Sequence, residues 1–151
     1  MVRALRILRR AARLTPREVR LLVEAQYTLL ACQVARWQRP PGQLLKVANE
    51  PDASVSVPET NFSAAAEVEW ALSRAAQYGA VRPACLVRSL ALQRMLRRHG
   101  THASELRLGF RMSNGNLEAH AWVELNDMVI GDSRAHVSTF TPATGRRLVE
   151  Q

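Results

Sequence analysis

Near Gly100 the chain changes the period of its hydrophobic pattern, and that switch leaves few folds open to it. Up to His99 the apolar residues recur at helical spacing. Beyond it, Leu106, Leu108, Phe110 and Met112 alternate with Glu105, Arg107, Gly109 and Arg111. Ser113-Asn114-Gly115-Asn116 is a strong turn, and Leu117 to Leu125 alternates again. A third strand, about Met128 to Asp132, follows a short turn at Asn126-Asp127. Helices first and an antiparallel sheet after them predict an α+β fold.

The helical part divides in two. Val2 to Leu14 interleaves Leu5, Ile7, Leu8, Ala11 and Ala12 with arginines, giving a basic amphipathic segment. Thr15-Pro16-Arg17-Glu18 then reads as a capping box, with Thr15 as N-cap and Pro16 at the first helical position. The helix it starts carries Val19, Leu22, Val23, Gln26, Leu29, Leu30, Val34 and Trp37 until Pro40-Pro41 stops it. Residues 50–62, with two prolines and several small or acidic residues, form a linker between a helical region at 1–49 and a core at 63–151. The core opens with a helix over Ser63 to Gln77, with Gly79 just past its end. A second helix starts at Pro83-Ala84-Cys85 and runs to His99-Gly100. Its apolar residues spread around the circumference, so it should be central.

At 151 residues the chain suits a modest core built mainly from aliphatic side chains. The net charge of +8 favours acidic partners, with arginines gathered at positions 3 to 20 and again at Arg94, Arg97 and Arg98. Cys32 and Cys85 lack zinc-type spacing and suggest neither a metal cluster nor a disulfide framework. No apolar run reaches signal-peptide or membrane-span length, so a soluble, cytoplasmic protein is expected, with no cofactor and no metal. Cys32, inside a long helix, reads as a small buried hydrophobe.

Cys85 differs because it sits at a helix start. Free N–H groups and the helix dipole favour a thiolate there, and its own N–H could face a developing oxyanion. On the second strand His120 shares a face with Glu118, Trp122 and Glu124. A cysteine on a helix with a histidine on a nearby strand is what thiol activation requires. Asp132 is the candidate to hold the imidazole, with Glu118 and Glu124 as alternatives. A two-residue loop at Asn126-Asp127 would set Ala121 opposite Asp132 and aim the carboxylate at the wrong face. A three-residue loop, Leu125 to Asp127, would pair His120 with Asp132, and that loop is predicted. The competing reading has Asp132 simply ending the strand. His99, His102 and His136 read as surface residues.

The run Arg82-Pro83-Ala84-Cys85-Leu86-Val87-Arg88-Ser89-Leu90-Ala91-Leu92, His99-Gly100, His120-Ala121-Trp122-Val123-Glu124 and Gly131-Asp132 together resemble the transglutaminase-like peptidases of lasso-peptide biosynthesis. The resemblance covers about residues 63 to 140. It implies a papain-like core, with the cysteine helix packed on an antiparallel sheet and Cys85, His120 and Asp132 as catalytic triad. It also implies removal of the leader from a ribosomally made precursor peptide. In this family a winged-helix-like domain recognises the leader, and residues 1–62 lack its alternating strands. The stand-alone form is therefore expected, with a separate leader-recognition protein and a lasso cyclase as partners, and with peripheral membrane contact through the basic N-terminal region. No nucleic-acid partner is expected. The second oxyanion donor is open; Gln77 and Tyr78 precede the cysteine helix. Two other functions remain: a different acyl transfer on the same residues, such as transglutamination or deamidation, or a basic helical module that binds a membrane or nucleic acid beside a non-catalytic core.

Overall fold

The computed structural model describes residues 14–50 and 61–143; the basic segment, most of the linker and the last eight residues lie outside that range. Four principal helices come first: α1 (Pro16–Gln38), α2 (Pro41–Ala48), α3 (Phe62–Tyr78) and α4 (Cys85–Arg98). Strands β1 (Ser104–Ser113), β2 (Asn116–Leu125) and β3 (Met128–Ile130), a short helix α5 (Arg134–Val137) and strand β4 (Thr141–Pro142) follow. The fold is α+β. Among the described residues no helix is long and apolar enough to cross a membrane.

Each helix start follows from its first residues. The Thr15 hydroxyl accepts from the Glu18 N–H at 3.2 Å while Glu18 reaches back to the Thr15 N–H at 2.7 Å, closing the capping box. Pro41 opens α2, where a missing N–H costs nothing. Asn61 caps α3 through the Ala64 N–H.

Helix α4 is the axis of the packing. It touches α1, α2 and α3 as well as β1 and β2, which is why Leu86, Val87, Leu90, Leu92, Met95 and Leu96 are all buried although they circle the helix. Helix α1 turns Leu21, Ala25, Thr28, Leu29 and Cys32 toward this core. Of the apolar residues noted on it, Leu29 is buried and Leu22 partly so, while Val19, Val23, Leu30, Val34 and Trp37 are exposed. Small residues let α1 approach its neighbours closely, so the larger side chains take the outer face.

The sheet is antiparallel throughout, in the order β3-β2-β1-β4. Ala121, Val123 and Leu125 face the helical core, and Trp122 on the opposite face packs with Val137 and Phe140 in a second, smaller cluster. Gly109 makes this close packing feasible, since a Cβ there would lie 2.8 Å from the Trp122 ring. Asn49, just past α2, substitutes for a strand at the edge of β1. Its amide donates to the Leu106 carbonyl at 2.8 Å and accepts the Leu106 N–H at 2.9 Å.

The β2–β3 connection corrects the sequence reading. Leu125 pairs with Met128, so the loop has two residues, Asn126 and Asp127, not three. Both have positive φ, 49° and 63°, as in a type I′ turn, whose twist matches that of the flanking strands. The third strand also stops at Ile130 rather than Asp132.

Candidate active site

Cys85 is the first residue of α4. No side chain caps that terminus; the N-cap residue is Ala84, in extended conformation. The N–H groups of the first turn are thus not taken by a capping side chain and stay available, beside Cys85, to a developing oxyanion. Cys32 is the opposite case. It is fully buried in α1, and burial pushes its thiol pKa up despite nearby Arg94 and Arg98, which suits an inert core residue.

His120 projects from β2. Its ring lies 5.0 Å from that of Phe140, at 30°, and 6.2 Å from that of Trp122, at 19°. Trp122 is itself held: its indole N–H donates to Glu124 Oε1 at 2.8 Å, and Arg107 Nε donates to Glu124 Oε2 at 3.1 Å. Helix α4 is tied to β2 one residue from His120, where the Ser89 hydroxyl donates to the Ala121 carbonyl at 2.8 Å. Ser89 lies one turn beyond Cys85, so this bond sets the helix against the strand that carries the imidazole.

Asp132 meets His120 despite the two-residue loop. Had β3 continued, its carboxylate would have followed the pleat to the wrong face. Instead Gly131 adopts a φ of 76°, which ends the extended chain and turns Asp132 back. His120 Nε2 and Asp132 Oδ2 are 2.5 Å apart. With Nε2 occupied, Nδ1 is left as the proton-exchanging nitrogen of the ring. Burial by itself raises the pKa of Asp132. Hydrogen bonds from His120, the Ser133 N–H and His136, with the charge of His120, outweigh that and hold the carboxyl below the usual carboxylate range.

Cys85, His120 and Asp132 line one cavity of about 220 Å3, with Arg88, Ser89 and Trp122 also on its walls. A wider groove of about 640 Å3 between α3 and β3 adjoins it and shares Ile130, Gly131 and Asp132. The structure therefore brings together the three residues singled out in the sequence. The two alternative orienters are engaged elsewhere, Glu118 with Arg111 at 2.7 Å and Glu124 with Trp122 and Arg107. Gln77 and Tyr78 are exposed at the end of α3.

His136 is at the surface, as the sequence reading has it, but it also engages Asp132. Its ring is partly exposed, yet Nδ1 lies 3.2 Å from Asp132 Oδ1, and the ring stands edge-on to His120 with centroids 4.7 Å apart. The sequence held a signal for it: Ser133 is a good N-cap, and a helix starting there puts Asp132 and His136 four residues apart on one side. His99 is also engaged, 3.0 Å from Glu24.

His120, Asp132 and His136 bring three ligand-type atoms within 4.8 Å of one another. Ligand atoms on a zinc shell of roughly 2.0–2.2 Å radius in tetrahedral array would stand well over 3 Å apart. The 2.5 Å contact between His120 and Asp132 is that of partners sharing a proton, so the cluster in this arrangement does not fit a metal.

The arrangement suits acyl transfer through a thiolate: a sulfur at an uncapped helix start, and an imidazole held by a carboxylate on the cavity wall. No curated protein and no solved structure matches the chain. A model of the Transglutaminase-like superfamily matches residues 27–145, a span that includes Cys85, His120 and Asp132. The superfamily is typically enzymatic, with cysteine peptidases and transglutaminases as its characteristic activities. A match over so much of its length gives the chain its family: it belongs to the transglutaminase-like superfamily.

Proposed function

We propose that the protein is a cysteine peptidase that removes the leader from a lasso-peptide precursor, with Cys85 as nucleophile, His120 as general acid and base, and Asp132 as the group that orients His120. The observation that carries this reading is the His120–Asp132 hydrogen bond in a cavity shared with Cys85 at its helix start. The Cys85 thiolate attacks the peptide carbonyl carbon, and the negative charge moves to the carbonyl oxygen, where the Cys85 N–H can meet it. The tetrahedral adduct collapses, the C–N bond breaks, and the departing amine takes the proton from His120. Water then attacks the thioester while His120 accepts its proton, and the C–S bond breaks to free the acid and the thiolate.

The leader-peptidase specificity rests on the residues around Cys85, while the cysteine helix with the His-Ala-Trp strand speaks for the superfamily. A separate leader-recognition protein and a cyclase are its implied partners, in the cytoplasm. The family match equally supports the broader acyl-transfer class, in which an amine rather than water resolves the thioester. One experiment separates these readings. Incubating the protein with a lasso precursor and its leader-recognition partner, followed by mass spectrometry, should give a free leader one water heavier than its acyl part. Cys85→Ala should give none. Equal cleavage by both proteins would remove Cys85 as nucleophile, and an amine adduct in place of the free acid would assign a transferase.

A further inference from the structure

We propose that His136 is a positioning residue for the active site, a second imidazole that fixes the Asp132 carboxylate against which His120, and through it Cys85, is set. This rests on the Cys85, His120 and Asp132 reading above. It assigns a fourth group, on a helix that the triad does not use.

Both oxygens of Asp132 are engaged, and His136 reaches both, its Nδ1 lying 3.4 Å from Oδ2 and nearer to Oδ1. Oδ2 faces His120 Nε2 at 2.5 Å. Oδ1 accepts the Ser133 N–H at 2.7 Å and faces His136 Nδ1 at 3.2 Å. An ionised carboxylate only accepts, so His136 must carry its proton on Nδ1. The carboxylate is thereby held from three directions, in the plane that lets Oδ2 meet His120. His136 is fixed in turn. Its backbone N–H donates to the Ser133 hydroxyl at 3.1 Å, and its ring stands edge-on to Phe140 at 5.4 Å, the same phenyl ring against which His120 packs.

The two imidazoles stand with ring centroids 4.7 Å apart on one carboxylate, so a shift of Asp132 on loss of His136 would move the His120 ring relative to Cys85.

The test follows the rate of Cys85 carboxamidomethylation by iodoacetamide from pH 4 to 9 by intact mass, in the full-length protein. Cys32, fully buried, reports on folding in the same spectra. His136→Ala removes the donor and should slow the reaction at pH 7 by about three- to ten-fold, the share of a charged hydrogen bond expected to reach His120. His136→Asn places an amide N–H near the Nδ1 position without a titrating group. It should restore most of the rate at pH 7, because the donor to Asp132 is kept. Wild-type, His136→Ala and His136→Asn profiles that superimpose would overturn the proposal, as would an Asn profile as slow as that of His136→Ala. A His120→Ala profile identical to wild type would overturn the underlying triad, and the proposal with it. A His120-dependent profile indifferent to His136 would overturn the proposal alone.

Discussion

Asp132 accepts on both oxygens, and this makes it the residue on which the site's geometry turns. Asp132→Asn keeps the size but presents an N–H or a weaker acceptor to His120, and in related carboxylate–histidine arrangements such a change lowers turnover by about 10^2- to 10^4-fold. Under the proposed function, leader release by this variant should fall by such a factor. Its effect on stability has a definite sign. The folded pKa of Asp132 lies below that of the unfolded chain, so its contribution is present above the ordinary carboxylate range near about pH 4 and is lost as pH falls through the folded value. Urea midpoints at pH 7 and pH 3 should therefore drop more steeply for the wild type than for Asp132→Asn. A parallel fall in both proteins would mean that Asp132 is not specially stabilised. The residue types Cys85, His120 and Asp132 were readable in the sequence because each has a chemical reason to stand at a helix start, on a strand beside an aromatic ring, or after a hairpin. For His136 the signal was confined to Ser133 as an N-cap, because its contact with Asp132 depends on a four-residue helix that no hydrophobic pattern records.

At the scale of elements, the β2–β3 hairpin shows where period-two reasoning holds and where it ends. Parity correctly predicts that Asn126-Asp127 as a two-residue loop sets Asp132 on the wrong face, but only if the strand persists to Asp132. Gly131 interrupts it, and a glycine's freedom at positive φ leaves no trace in an alternation of apolar and polar residues. Helix α4 was legible for the reverse reason: apolar residues spread around most of a circumference mean a helix covered on most sides, and on this one only Arg94 and Arg98 are exposed. The same hairpin yields a prediction. Gly131→Ala places a Cβ at a φ of 76° and 2.9 Å from Leu92 Cδ2. The left-handed backbone should cost about 1–2 kcal/mol, read as a lowered urea midpoint, and relaxing it would swing Asp132 away from His120 and lower leader release. Gly131→Asn, which tolerates that backbone better, should recover part of both losses. An alanine variant as stable and active as wild type would show that Asp132 is placed by its own hydrogen bonds rather than by the glycine.

Across the whole molecule, the helical region and the sheet meet at a polar junction beside the start of β1, as well as at Ser89 and through the shared apolar core. The first residues of β1 have β2 on one side. On the other, β4 pairs only with Gly109 and Phe110, which leaves Leu106 to find partners elsewhere. Asn49 supplies them, bonding both the N–H and the carbonyl of Leu106, and the Gln93 amide of α4 donates to the same Asn49 oxygen at 3.2 Å and to the Ser104 carbonyl at 3.0 Å. A single side chain thus links the end of α2, the middle of α4 and the start of β1, and it closes a strand edge that would otherwise be open to pairing. Leu106 is 1% exposed, so water has little access to the groups that Asn49 satisfies. Asn49→Ala should lower unfolding stability by about 1–3 kcal/mol, the usual cost of leaving buried backbone groups unpaired. Asn49→Asp keeps an acceptor for the Leu106 N–H but sets a carboxylate oxygen against the Leu106 carbonyl, so it should not rescue the loss at pH 7. Amide hydrogen exchange provides the sharper reading. The Leu106 N–H should lose protection in both variants relative to the ladder amides of β2, because carboxylate repulsion at the carbonyl displaces the whole side chain. Unchanged protection at Leu106 in Asn49→Ala would show that β1 holds its register through β2 and the apolar core alone.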